Sequence, residues 1–254
     1  MTCNSTEPVN LGPLQRLAPE AKLVAVVAFV LIVVATPARA WLALAFDVAL
    51  LVALVLGSGL RPGKVFRGLV IELPFLCLAV LMPFVAFGPR VAIGPLQLSQ
   101  AGLTGGALLL VRSTLGVLAA LVLAATTEPN DLVGGLERLR LPAGLVSILT
   151  LMVRFLAVVG DDLNRMAVAR ASRGDGRTRA LRMAATAAGA GTLFVRSYER
   201  GERVHLAMAA RGHDGRLPAY GARPRAAACD WIGALSLPLI AAAALAIALW
   251  QVGL

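Results

Sequence analysis

The chain has 254 residues, of which 58% are hydrophobic and only 15% are charged, and its mean hydropathy is +0.79. These values exclude a water-soluble globular protein, because soluble domains carry about 25% charged residues. The formal net charge is +10, yet the sequence contains no finger, helix-turn-helix or RNP signature, which argues against nucleic acid as a partner.

Five apolar segments approach the length that a bilayer crossing requires, about 20 residues. They cover residues 22–36, 41–60, 68–87, 103–126 and 231–250. The first segment is short and ends at Pro37. The alternative to a full span is that it packs as half of a tight helical hairpin with the second segment. Residues 1–20 are polar and contain prolines, so no cleaved signal peptide is expected. The sequence therefore predicts an all-α integral membrane protein with about five transmembrane helices.

The positive charge is confined to one internal stretch. Residues 138–225 contain 16 arginines against six acidic residues, whereas the rest of the chain is balanced. The positive-inside tendency places this stretch in the cytoplasm, and the basic loop 61–67 agrees with that orientation. We therefore predict four N-terminal spans in residues 1–127, a cytoplasmic domain of long amphipathic helices in 128–225, and a last span in 226–254.

Ionisable residues within the predicted spans are candidates for a function. Asp47 and Arg112 both lie roughly 9 to 14 Å from the outer ends of their spans, counted at about 1.5 Å per residue. Their similar depth predicts a structural ion pair. Glu72 lies nearer the cytoplasmic surface, where we expect it to meet Arg67 or solvent.

The cytoplasmic stretch is predicted to be helical. A short helix from Glu128 is halted by Pro142, and a long helix then runs to Arg173 and stops at Gly174. Apolar residues recur along the long helix at helical spacing. A second long helix is predicted from Ala180 to Arg211, stopping at Gly212, and it begins with small residues that allow close helix packing.

The two long helices end in a repeated pattern. It reads Asp161-x3-Arg165-x7-Arg173-Gly174 in the first helix and Glu199-x3-Arg203-x7-Arg211-Gly212 in the second. The acidic residue precedes an arginine by four positions in each case, which favours an intrahelical ion pair. An Arg-Gly ending is by itself an ordinary helix cap, because glycine adopts the left-handed conformation and arginine complements the helix dipole.

Both endings are preceded by small residues, Ala171-Ser172 and Ala209-Ala210. Small residues allow a helix end to enter a narrow groove, where a guanidinium offers five donors to carbonyls or carboxylates. The pair of endings therefore predicts two partner-binding tips.

The chain resembles the transmembrane T component of energy-coupling factor transporters, specifically the cobalt type called CbiQ. The likeness covers nearly the whole chain, although the N-terminal spans resemble the family only in kind. It is strongest in Leu139-Arg140-Leu141-Pro142, Leu151-Met152-Val153-Arg154-Phe155, Gly191-Thr192-Leu193-Phe194-Val195-Arg196-Ser197-Tyr198-Glu199-Arg200 and Ala207-Met208-Ala209-Ala210-Arg211-Gly212.

The family carries two Ala-Arg-Gly motifs on cytoplasmic coupling helices, each docking in a groove of one of two ABC-type ATPase subunits. Ala210-Arg211-Gly212 matches this motif, whereas the first motif reads Ser172-Arg173-Gly174, in which serine is also small. The resemblance implies ATPase contacts at Ala171, Ser172, Arg173, Gly174, Ala209, Ala210, Arg211 and Gly212.

The resemblance also implies a non-catalytic subunit of the inner or plasma membrane, embedded in the lipid bilayer. Such a subunit passes ATP-driven motion to a separate substrate-binding membrane subunit, with a small accessory membrane subunit as a further partner in the cobalt type. Nickel or vitamin cargo stays open, because the substrate-binding subunit does the selecting.

No motif in the chain indicates catalysis or a cofactor. The segment Gly57–Val65 lacks the spacing and the Ser or Thr of a phosphate loop, so ATP hydrolysis is assigned to another chain. The histidines and cysteines are too scattered to form a metal site. A membrane transferase that uses Asp161 and Asp162 remains one alternative, and a self-contained carrier remains another.

Overall fold

The computed structural model describes residues 17–37, 39–57, 70–86, 90–93, 96–174, 179–215 and 226–252, together with residues 63, 68 and 217. In chain order, the described elements are α1 (Pro19–Ala35), α2 (Trp41–Gly57), α3 (Leu73–Val85), β1 (Arg90–Ile93), β2 (Leu96–Ser99), α4 (Gln100–Thr126), α5 (Pro129–Arg138), α6 (Ala143–Ser172), α7 (Arg179–Ala210) and α8 (Ala228–Val252). They divide into two compact units. The first unit comprises the described residues up to Gly135 and after Arg223, and the second comprises those from Leu136 to Ala222.

The predicted all-α membrane architecture is confirmed. Helices α1, α2, α3, α4 and α8 coincide with the five predicted spans. Of these, α4 and α8 are long and apolar enough to cross a bilayer, whereas α2 and α3 are apolar but shorter.

Helix α6 also has the length and hydropathy of a membrane span, although the sequence analysis places it in the cytoplasmic domain. Its apolar residues dominate the N-terminal half, and four of its five charged residues follow Gly160. Each half of α6 therefore has a different character, and only the second half has the composition of a solvated helix.

Helices α3 and α4 pack closely because α4 presents glycines at the contact. A Cβ atom added to Gly102 would lie 2.6 Å from the carbonyl oxygen of Met82, and one added to Gly106 would lie 2.6 Å from that of Ala79. Any side chain at either position would force the two backbones apart.

The core of the first unit lies where α1, α2, α4 and α8 meet. Smaller alanine clusters tie α8 to α1 near Ala234 and to α2 near Ala248. The buried residues of the main cluster are Phe29, Val33, Leu44, Leu51, Leu115, Ala119 and Ala241.

A short β-hairpin joins α3 to α4 and is the departure from a purely helical fold. Strands β1 and β2 are antiparallel, with Arg90 opposite Ser99 and Ile93 opposite Leu96. These strands lie between the predicted spans 68–87 and 103–126, where no element was predicted.

The second unit is built on α6 and α7, whose predicted limits are confirmed to within one residue. The two helices run antiparallel, because residues late in α6 meet residues early in α7. Arg170 contacts Thr186, while Asp162 contacts Arg200.

Candidate functional site

The C-terminus of α7 has a complete glycine cap. Gly212 has a φ of +77°, the left-handed conformation that glycine adopts without a Cβ penalty. Its N–H donates to the Ala209 carbonyl at 3.0 Å, and the His213 N–H donates to the Met208 carbonyl at 3.0 Å. These two bonds form a Schellman motif, so the chain turns sharply away immediately after Arg211.

The C-terminus of α6 ends in a similar way. Gly174 has a φ of +76°, and its N–H donates to the Ala171 carbonyl at 3.3 Å. The Ser172 hydroxyl donates to the Ala169 carbonyl at 3.0 Å. Both predicted Arg-Gly endings are therefore true helix caps, and the serine that replaces alanine is accommodated within its own helix.

Each cap leaves its arginine exposed as the last side chain before the turn. Arg173 and Arg211 are both exposed, as are the small residues that precede them. Within the described part of the chain, neither guanidinium has a hydrogen-bond or ion-pair partner. Each guanidinium carries five N–H donors.

The antiparallel arrangement sets the two arginine tips far apart. Helix α7 has 32 residues, a length of about 48 Å at 1.5 Å per residue. Arg170, three residues before Arg173, contacts Thr186 in the first quarter of α7, and Arg211 directly follows the last residue of α7. The second unit therefore presents one tip at each end of a rigid helix pair.

Only one of the two predicted intrahelical pairs is present among the described residues. Arg203 lies 3.9 Å from Glu199, with side chains 69% and 57% exposed, so this pair adds little to stability. The predicted Asp161–Arg165 pair is absent from the described contacts, and both side chains are exposed on α6.

An ion pair that the sequence analysis did not predict joins the two helices. The Arg200 guanidinium donates to the Asp162 carboxylate at 3.0 Å, with side chains 34% and 19% exposed. Asp162 shares a face of α6 with Met166 and Arg170, both of which approach Gly189 of α7. This shared face is the side of α6 that meets α7, which the sequence alone does not reveal.

The predicted Asp47–Arg112 pair is wrong for the described structure. Arg112 donates instead to the Thr36 carbonyl at the end of α1, where the last helical carbonyls lack partners within their own helix. Asp47 is only 1% exposed, and neither of its carboxylate oxygens has a hydrogen-bond partner among the described residues.

Glu72 is also placed differently from the prediction. It is buried, and one of its carboxylate oxygens accepts hydrogen bonds from Ser113 at 2.7 Å and Thr114 at 2.5 Å. Glu72 thus ties the start of α3 to the middle of α4 instead of meeting solvent. Arg67, its other predicted partner, lies outside the described residues.

Comparison with known proteins identifies the family. The family described as CbiQ, cobalt transport protein, matches residues 12–220. This match covers most of the chain, including both arginine tips. The chain belongs to the CbiQ family, the transmembrane component of energy-coupling factor transporters.

Three relatives agree with this assignment. The CbiQ-family chain is 31% identical over 224 residues to the energy-coupling factor transporter transmembrane protein EcfT of Listeria innocua, covering 80% of this chain and 81% of the relative. It is 30% identical over 168 residues to the cobalt transport protein CbiQ of Rhodobacter capsulatus, covering 63% and 69%. It is 28% identical to part of a putative ABC transporter ATP-binding protein of Bifidobacterium longum, covering 84% of this chain and 30% of that protein.

The described part of this CbiQ-family chain contains no cluster of three or more His, Cys, Asp or Glu residues able to hold a metal ion. The chain is a membrane protein whose relatives are named as transporter components.

Proposed function

We propose that this chain is the energy-coupling T subunit of a cobalt-type transporter. In this proposal, Arg173 and Arg211 dock in grooves of two ABC-type ATPase subunits on the cytoplasmic side. The helix pair α6–α7 then passes ATP-driven motion to a separate substrate-binding membrane subunit. The observation that carries the proposal is the pair of exposed, unpartnered arginines at two glycine-capped helix ends of the described structure.

The geometry of the tips suits a contact that must persist through a motion. A guanidinium makes charge-assisted hydrogen bonds that are roughly twice as strong as neutral ones. The glycine cap removes the following chain from the axis of the helix, so the tip is free to enter a groove. Because the tips lie at opposite ends of a helix pair, they favour two separate ATPase contacts over one.

The helices between the tips carry an apolar surface suited to a membrane partner. Large apolar side chains on both helices are exposed in this chain. A group of exposed apolar side chains is a candidate interaction site. We propose that the substrate-binding membrane subunit covers part of it. The exposed residues include Leu145, Ile148, Met152, Leu156, Phe194, Val195, Tyr198 and Leu206.

The relatives support ATPase partners and cobalt as cargo. The Bifidobacterium longum relative is named as an ATP-binding protein, and about a third of it resembles this chain. The family description and the Rhodobacter capsulatus relative both name cobalt, whereas the Listeria innocua relative names no cargo. Nickel or a vitamin is the alternative cargo, since the selecting subunit is a different chain.

The alternative of a membrane transferase has lost its structural support. It required Asp161 and Asp162 to supply carboxylates to one metal site. In the structure, Asp162 pairs with Arg200 on α7, whereas Asp161 is exposed on another side of α6.

The proposal is tested by expressing the chain together with its neighbouring ATPase and substrate-binding subunits. Arg173→Ala, Arg211→Ala and the double variant are compared with Arg165→Ala, an exposed arginine of α6 that lies away from either tip. We expect the double variant to lose ATPase co-purification and ATP-dependent cobalt uptake, while Arg165→Ala keeps both. Normal assembly and uptake in the double variant would show that the arginines are only helix caps. Parallel uptake measurements with nickel and with vitamins determine the cargo.

A further inference from the structure

The chain that follows the second arginine tip folds back onto the start of α6. The Ser147 hydroxyl oxygen accepts a hydrogen bond from the Leu217 N–H at 2.9 Å. The same oxygen lies 3.2 Å from the Gly215 carbonyl and 2.9 Å from the Ala143 carbonyl, and its single proton is donated to one of these two. Ser147 is only 7% exposed.

This arrangement differs from the usual behaviour of a serine in a helix. Serine and threonine hydroxyls commonly donate to the carbonyl four residues earlier, as Thr150 and Ser197 do here. Ser147 makes the same kind of contact with Ala143, but it also holds a backbone N–H that lies 70 residues further along the chain. A half-buried backbone N–H needs an acceptor, and for Leu217 that acceptor is a side chain of α6.

The described chain between the tip and Leu217 turns at two glycines. Gly212 and Gly215 both have positive φ values, +77° and +85°. His213 is bonded back to Met208 by the helix cap. Leu217 follows Arg211 by only six residues, so its bond to Ser147 holds the chain after α7 close to the first turns of α6.

We propose that Ser147 is a positioning residue that couples the Arg211 tip to α6. This inference rests on the proposed function for its consequence in transport, but the positioning itself is a property of this chain alone. With the bond in place, a force applied at Arg211 moves α6 together with α7. Without the bond, the end of α7 bends independently, and motion of the second ATPase is passed on less completely.

The positioning is tested by a distance measurement between spin labels on His213→Cys and Gly144→Cys, in a background lacking the native cysteines. A side chain added to Gly144 meets no atom within 4 Å, so a label is tolerated there. We expect one narrow distance distribution in the parent and in Ser147→Thr, which keeps the hydroxyl, and a broadened distribution in Ser147→Ala. Ser197→Ala is the matched control, because its hydroxyl bonds only within α7. An unbroadened distribution in Ser147→Ala overturns the inference, whatever the arginine variants do.

The consequence for transport is tested in the assembled complex. We expect Ser147→Ala to keep ATPase co-purification and ATP hydrolysis but to transport about fivefold less cargo per ATP hydrolysed, which is the population change that one hydrogen bond confers. Ser147→Thr should restore the ratio. If the distances broaden but the ratio is unchanged in Ser147→Ala, Ser147 does not act in coupling. If Arg173→Ala and Arg211→Ala also leave assembly and uptake unchanged, it is the proposed function that fails.

Discussion

Asp162 and Arg200 occupy equivalent positions of the two long helices, 38 residues apart, and their side chains meet at 3.0 Å. The same offset relates Arg173 to Arg211 and Gly174 to Gly212. Equivalent positions of two antiparallel helices lie opposite each other at one level only. The ion pair therefore marks that level, eleven residues before each of the two arginines along the chain.

We predict that this ion pair stabilises the helix pair measurably. Because the pair is partly shielded from solvent, a double-mutant cycle with Asp162→Ala and Arg200→Ala should give a coupling free energy of about 0.5 to 1.5 kcal/mol. The measurement is thermal unfolding of the purified chain in detergent. The matched control is the Glu199–Arg203 pair, which is longer and more exposed, and its coupling should be close to zero. Equal coupling free energies in the two cycles would contradict the stabilising role assigned to the Asp162–Arg200 pair.

The glycine caps give a second prediction. Gly174→Ala and Gly212→Ala should each destabilise the second unit by about 1 to 2 kcal/mol, because an L-residue is strained at these positive φ values. Gly201 lies within α7, and a methyl group added there would meet no atom within 4 Å, so Gly201→Ala should instead stabilise by about 0.5 to 1 kcal/mol. Opposite signs in thermal unfolding are the expected result, and unchanged stability in Gly174→Ala and Gly212→Ala would argue against the caps.

The close contact of α3 with α4 gives a third prediction. Gly106→Ala should destabilise the first unit by about 1 to 3 kcal/mol, because its methyl group would meet the Ala79 carbonyl. Gly116 lies on the same helix with open space around it, and Gly116→Ala should be neutral or stabilising. The melting temperatures of the two variants provide the comparison, and equal values would mean that α3 and α4 do not pack as described.

The buried carboxyl group of α2 gives a fourth prediction. Asp47 has no hydrogen-bond partner among the described residues, so replacing it with an apolar side chain of similar size removes a buried polar group that costs stability. We expect Asp47→Leu to raise the melting temperature of the isolated chain by a few degrees, since about 1 kcal/mol shifts a chain of this size by about 2 to 4 °C. Lower stability in Asp47→Leu would indicate a partner.

Asp47 and Arg112 give a fifth prediction, which separates the predicted ion pair from the observed contacts. In a double-mutant cycle, Asp47→Ala and Arg112→Ala should be additive within about 0.5 kcal/mol, because Arg112 bonds to Thr36. A larger coupling would restore the pairing that the sequence suggested.

The elements that depend on local sequence were predictable, and the contacts between elements were not. The ends of α6 and α7 follow from Gly174 and Gly212, because a cap is formed by residues within one turn of each other. The error over Asp47 and Arg112 has a simple cause: counting residues along a span gives depth, but it does not give the direction in which a side chain points. The Asp162–Arg200 pair was missed for the same reason, since the facing sides of the two helices were unknown.

The β-hairpin between α3 and α4 shows a different limit. Each strand has only four residues, and alternation over so short a stretch does not stand out from an ordinary loop. Its antiparallel pairing depends on the ends of α3 and α4 being held side by side, a condition that the glycines of α4 provide and that a local pattern does not reveal.

An offset of 38 residues relates the repeated positions of α6 and α7, and the Asp162–Arg200 contact joins two positions related by it. The same offset relates the Arg173 tip to the Arg211 tip. The negative Asp162 and the positive Arg200 attract each other at this contact, whereas two identical charged residues would repel. Under the proposed function, one chain would offer two nearly equivalent ends to a pair of ATPases, and two copies of one ATPase would then suffice to bind both tips. The local difference between the two motifs is Ser172 in place of Ala210.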